Sequence, residues 1–191
     1  MAKAKRLEMD AAALKALAHP LRVRIHQILA LRGQVSVTSL AKELDESTGA
    51  TSYHLRQLAK HGLVEQCEPP DGGGRQRWWR MAVDEIHLSG FEFMANNDTR
   101  EAVGFVLREY NADRTRKLSN WYTTATEWPQ EWQKASSDMD GRLRLNAKQT
   151  RALADEVSAL IAKYDQLKPG RGARAVDVQY AIFPTDTGDR P

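Results

Sequence analysis

The stretch TSLAKELDESTGATSYHLRQLAKHGLV, Thr38 to Val64, restricts the fold more than any other part of the chain. Leu40, Ala41 and Leu44 lay down one apolar stripe, and Thr51, Leu55 and Leu58 repeat the i, i+4, i+7 spacing of a second. Two short helices with such stripes must bury them against each other. Between them Asp45, Glu46, Ser47 and Thr48 supply turn formers and N-caps, and Gly62 followed by Leu63 predicts a helix end of the Schellman kind. Away from that packing, the second helix keeps Thr48, Ser52 and Arg56 at i, i+4, i+8, with Gly49, Tyr53 and Gln57 beside them. A polar face at the N-terminal half of a supported helix is either a plain solvated surface or the edge that a major groove accepts.

The flanking sequence decides between those two. Met1 to Arg6 is expected as a frayed basic arm, and Asp10 caps a short helix through Ala18 with Leu14 and Leu17 on its apolar face. His19-Pro20 then starts another helix, since proline suits the first helical position; Leu21, Ile25, Ile28 and Leu29 form its expected buried stripe, and Gly33 ends it. Arg22, Arg24 and Arg32 lie off that stripe, either as solubilising charge or within reach of phosphate. After the helical pair comes a hairpin. Leu63 to Cys67 and Arg75 to Ala82 read as strands around a tip with Pro69, Pro70, Asp71 and three glycines. The glycine run is not a phosphate loop, because the GK[ST] ending and a following helix are missing. Arg75 and Arg77 make the hairpin suitable as a wing along a DNA backbone. Trp78 and Trp79 fall on opposite faces, one for the helices and one for the sheet edge.

This order of elements resembles a winged helix-turn-helix, and its wording resembles the arsenical-repressor (ArsR) family of bacterial regulators. The residues that carry the likeness are Ala18-His19-Pro20-Leu21-Arg22, Leu40-Ala41, Ser52 with His54-Leu55 and Leu58, and Gly62-Leu63-Val64, covering roughly residues 10 to 82. The resemblance implies a homodimer on an imperfect inverted repeat of double-stranded DNA, usually as a repressor. Carried onto this chain, the base-reading positions are Thr48, Gly49, Ser52, Tyr53 and Arg56; Ser47, Gln57, Lys60, Arg75 and Arg77 complete the expected DNA-binding set. His54 matches a family position at the border of the polar stripe, either on phosphate or hydrogen-bonded within the fold. The resemblance also places the dimer interface in the first helix and the helix after the wing, so Leu14, Leu17, Val103, Val106 and Tyr110 are its candidates, with ordinary core as the competing use. Many relatives sense metals; here Ser39-Leu40-Ala41-Lys42-Glu43 replaces the cysteine pair, and Asp84 and His87 lack a second imidazole, so no metal and no other cofactor is expected.

Charge and cysteine content agree with that expectation. Residues 1 to 82 hold 13 Lys and Arg against 8 Asp and Glu, a net +5, whereas residues 83 to 191 hold 15 against 17, a net −2. The basic half coincides with the helical pair. Cys67 is the only cysteine, which excludes an internal disulfide and fits a reducing compartment. No apolar h-region follows the basic residues at the N-terminus, and no apolar run approaches the roughly 20 residues that span a bilayer, so a cytoplasmic protein without a membrane partner is expected.

In the second half Asp98 caps a long helix through about Trp121, and Trp121, Tyr122, Trp128 and Trp132 form an aromatic cluster. The cluster is either core, subunit interface or a pocket for a flat apolar effector. Gly141 to Leu145 reads as a strand, Asn146 with Gln149 as a capping box for a helix with Leu153, Val157, Leu160, Ile161 and Tyr164, and the alternation of Val176, Val178, Tyr180 and Ile182 as a second strand. The expectation is a mainly α chain with a small β component: a winged helix-turn-helix over residues 1–95, an α/β extension for dimerisation or effector binding over 96–185, and a disordered tail at 186–191. The expected function is DNA-binding transcriptional regulation, with repression implied by the family likeness. Alternatives are a sensor of a small apolar or aromatic effector on the same fold and a winged-helix protein-interaction module. No nucleophile with a placed base, metal cluster or phosphate loop points to an enzyme.

Overall fold

The computed structural model describes residues 5–70, 76–83, 85–87 and 90–185. Its contacts divide the chain into two units, Met1–Ser119 and Asn120–Pro191. The boundary expected after residue 95 lies inside the first of them, because Val103 and Val106 of the long helix are buried in the first unit's core.

In the first unit each helix starts where the sequence supplies a cap. Helix α1 (Ala11–Leu17) begins with Asp10, whose Oδ1 accepts from the Ala13 amide at 2.7 Å. Helix α2 (Pro20–Arg32) has proline in its first turn and ends on Gly33 at φ +75°. Helix α3 (Val37–Leu44) is capped by Ser36, and α4 (Thr48–Lys60) by Ser47, with Asp45 left-handed in the turn between them. The Schellman end of α4 forms as expected: the Leu63 amide donates to the Leu58 carbonyl at 3.2 Å, the Gly62 amide to that of Ala59 at 3.0 Å, and Gly62 sits at φ +70°.

The strands are less regular than the sequence suggests. Strands β3 (Val64–Cys67) and β4 (Trp78–Met81) pair antiparallel, and β4 also pairs with β2 (Gln34–Ser36), an unexpected third member in the order β2-β4-β3. The second strand of the hairpin is shorter than Arg75 to Ala82, and residues 71–75, with Arg75, lie outside the described residues. Trp79, opposite Val35, is buried in the core, whereas Trp78 is half-buried. Arg6 is not part of a frayed arm. It belongs to β1 (Arg6–Glu8), which runs parallel to β5 (Glu85–His87).

The core joins Leu14, Leu17, Ile25, Leu29, Leu40, Leu55, Leu58 and Leu63 with Val103 and Val106. In α2 the buried residues are Val23, Ile25, His26 and Leu29; Leu21 and Ile28 are half-buried, so the buried stripe is rotated from the expected one and takes in a histidine. Helix α5 (Gly90–Ala95) precedes the long α6 (Asn97–Thr124), which crosses into the second unit.

The second unit is helical among the described residues, with a 3-10 turn (Ala125–Glu127), α7 (Gln130–Ala135) and α8 (Ala147–Asp165). The capping box of α8 is complete, with Asn146 and Gln149 exchanging hydrogen bonds of 3.0 and 2.9 Å. Neither 141–145 nor 176–182 is a strand. Alternation produces a strand only where a neighbouring edge accepts its backbone, and Val176 and Val178 instead remain 67% and 61% exposed. The segment is held by side chains: Tyr180 bonds Ser158 of α8 at 2.9 Å, and the Arg174 guanidinium lies 5.4 Å from the centre of the Trp128 ring. The tail at 186–191 lies outside the described residues.

Candidate nucleic-acid interface

Helix α4 is presented by its buried side. Thr51, Leu55 and Leu58 are at most 1% exposed against α3 and the core, and the Thr51 hydroxyl donates to the Ser47 carbonyl at 2.9 Å. The Ser47 hydroxyl accepts from the Ala50 amide at 3.1 Å, which fixes where the helix begins. The opposite face carries the expected polar residues. Ser47, Thr48, Gly49, Tyr53, Arg56 and Lys60 are exposed, and Ser52, His54 and Gln57 are half-buried. The apolar half of each turn is thus used for anchoring, which leaves the hydroxyls and the Arg56 guanidinium on the surface.

The hairpin lies beside this helix in the same unit, tied at its base to the start of α3 by the Val37 amide, which donates to the Arg77 carbonyl at 3.0 Å. Arg77 is exposed. Arg80, one strand face further on, is engaged instead with Glu65, its register partner on β3, at 2.7 Å. Arg32 is likewise held by Glu43 at 3.1 Å, which links α2 to α3. Arg22 and Arg24 have no carboxylate partner among the described residues.

The remaining expected site residues fall into two groups. Leu14, Leu17, Val103 and Val106 are at most 2% exposed within one chain, so of the two uses left open by the sequence they serve the chain's own core. Tyr110 is turned inward as well, its hydroxyl 2.6 Å from His26 Nδ1. The aromatic cluster of the second unit packs on itself, with Trp121 and Trp128 at 5.9 Å, Trp128 and Trp132 at 6.4 Å, and the Tyr122 hydroxyl donating to Asp138.

Sequence reasoning missed the surroundings of His54. Its ring lies 4.6 Å from that of His19, the N-cap of α2, and 5.3 Å from that of Tyr53. His19 Nδ1 accepts from the Leu21 amide at 3.2 Å, so the neutral ring carries its proton on Nε2. Burial, and then the charge of Arg22, push the His19 imidazole below its ordinary range. The same two causes and His19 itself lower His54, against a smaller opposing effect of Glu46. A separation of 35 positions along the chain gave no local signal that the two histidines meet.

A family model described as a helix-turn-helix domain matches residues 17–67, which run from the end of α1 through β3. The first unit carries a winged helix-turn-helix domain. The chain is 38% identical over 63 residues to the cadmium resistance transcriptional regulatory protein CadC homolog of Staphylococcus aureus, a match covering 32% of this chain and 52% of that protein. The chain thus spans about half the length of this curated relative. Among solved structures it is similar to the homodimeric winged helix-turn-helix DNA-binding domain of Mb0332 from Mycobacterium bovis, a possible ArsR-family regulator, at 25% identity, TM-score 0.35, with 54% of this chain and 77% of that one covered. It is also similar to HlyU from Vibrio cholerae, at 23% identity and TM-score 0.34, covering 52% and 88%.

Proposed function

We propose that the chain is a DNA-binding transcriptional regulator that represses by occupying an inverted-repeat operator as a homodimer. The observation that supports this most is the exposed polar face of α4: Thr48, Gly49, Tyr53 and Arg56 stand clear of a helix whose other side is anchored by Thr51, Leu55 and Leu58. A helix so held offers its N-terminal side chains to base edges in a major groove. Arg56 serves as the bidentate reader, with Ser52, Tyr53 and Gln57 completing the contacts. Arg77, Lys60 and Arg75 meet backbone phosphates, which gives affinity without sequence preference. The extension serves self-association, so that two recognition helices address half-sites related by a two-fold axis.

Selection of bound fragments from genomic DNA, followed by binding measurements over a salt series, tests this. A recovered inverted repeat bound in preference to scrambled duplex, with affinity falling as salt rises, is the expected result. Fragments without a common sequence and salt-independent binding would favour a protein-interaction module instead.

A further inference from the structure

The corner where α2 begins beside α4 holds three nitrogen-bearing side chains of positive or neutral character and, among the described residues, one carboxylate that acts on them. His19 and His54 have their ring centres 4.6 Å apart, and Arg22 lies close enough to act electrostatically on both. The groups facing the pair are Arg22 from α2, Tyr53 from α4 and Glu46 from the turn before α4. Glu46 makes no hydrogen bond or ion pair with any of the three among the described residues. Arg22 Nε and His54 Nδ1 are buried without partners, and the Nε2 atoms of both imidazoles and the terminal nitrogens of Arg22 have no protein partner among the described residues either.

We propose that His19, Arg22 and His54 form a phosphate subsite beside the recognition helix, and that a DNA backbone phosphate seated there is bound together with one proton taken up by His54. The inference rests on the DNA-binding reading and adds to it a site outside the polar stripe and the wing. The reason lies in what each group lacks. A guanidinium with no carboxylate and an imidazole N–H with no acceptor are left short of an anion, and a phosphodiester supplies both with acceptor oxygens. His19 stays neutral, because a second proton on its ring would occupy Nδ1 and break the cap on Leu21. It donates from Nε2. His54 has no such constraint, so it is the member that titrates. In the free protein burial and the charge of Arg22 disfavour protonation of its ring. A phosphate brings the missing counter-charge and favours the imidazolium. When binding raises a group's proton affinity, complex formation takes up a proton, and affinity for DNA rises as pH falls.

Duplex affinity of the intact chain, measured from about pH 8 to about pH 6 at fixed low salt with a mixed-sequence duplex, reads the effect directly. The expected result is a rise of about three- to tenfold on acidification for the unaltered chain. His54→Gln should lose most of that rise, His61→Gln should keep it, and His19→Asn, which preserves an N-cap, should weaken binding while keeping its pH dependence. A parallel NMR titration of the imidazoles in the unaltered protein should show the His54 midpoint moving up when duplex is added. Duplex binding that is independent of pH, or a His54 midpoint unmoved by DNA, would overturn the subsite while leaving the DNA-binding reading in place. A chain that holds no duplex at any pH would remove that reading, and the subsite with it.

Discussion

His26 and Tyr110 meet in the core at 2.6 Å although 84 positions separate them. Whichever of the two donates, His26 Nε2 remains buried without a partner, and burial lowers the imidazole from 6.5 to about 4. The folded protein therefore holds this ring neutral where the unfolded chain would protonate it. Above about pH 6.5 both states are neutral and the fold keeps its full stability; as pH falls toward 4 the unfolded state binds a proton first, costing the fold up to about 3 kcal/mol. Chemical denaturation at about pH 7 and about pH 5 checks this, with His26→Phe expected to reduce the pH dependence. Tyr110→Phe should destabilise by about 1 to 3 kcal/mol at neutral pH, because it leaves a second imidazole nitrogen unpaired. At the surface proposed to face DNA the two arginines differ. Arg56→Ala should reduce discrimination between operator and random duplex by about 1 to 3 kcal/mol, whereas Arg77→Ala should weaken all duplexes alike and lower the salt slope by about one. Equal losses on both kinds of DNA for Arg56→Ala would contradict its role as a reader. Neither the pairing of His26 with Tyr110 nor the meeting of His19 with His54 was legible in the sequence, since each joins helices through the tertiary fold rather than through local spacing.

Elements were legible in proportion to how much of their specification is local. The boundaries of α1, α2, α4 and α8 followed from Asp10, Pro20, Ser47 with Gly62, and Asn146 with Gln149, each of which acts on backbone groups within a few residues. Gly62 illustrates the cost of such a signal. At φ +70°, with nothing within 4 Å of an added Cβ, Gly62→Ala meets no clash, so the expected loss of about 1 kcal/mol, read by thermal or urea unfolding, is conformational alone. Ser47→Ala should cost about the same by removing the cap of α4, and with it the position of Thr48 and Gly49. Strands behaved in the opposite way. β1, β2 and β5 are only three residues each and owe their existence to partners far along the chain, so a period of two could not reveal them. Over 176–182 the period was present and the partner strand was not, which is why alternation there overstated the β content.

For the whole molecule, the division at Ser119 separates a well-buried unit from one in which no described residue beyond the boundary is buried. The first carries the excess of positive charge and the polar face of α4; together these determine how the protein would meet a polyanion. A two-fold arrangement would place two recognition helices about one helical turn apart or a multiple of it, so inserting about five base pairs between half-sites should lower affinity more than inserting about ten. Competition binding of the intact chain to a genome-selected fragment against its scrambled counterpart, at moderate ionic strength, addresses the central claim most directly. Preference for the selected fragment by at least about a hundredfold, reduced toward parity by Arg56→Ala, is the expected result; equal affinity for the two duplexes would contradict the assignment of α4 as a base-reading helix.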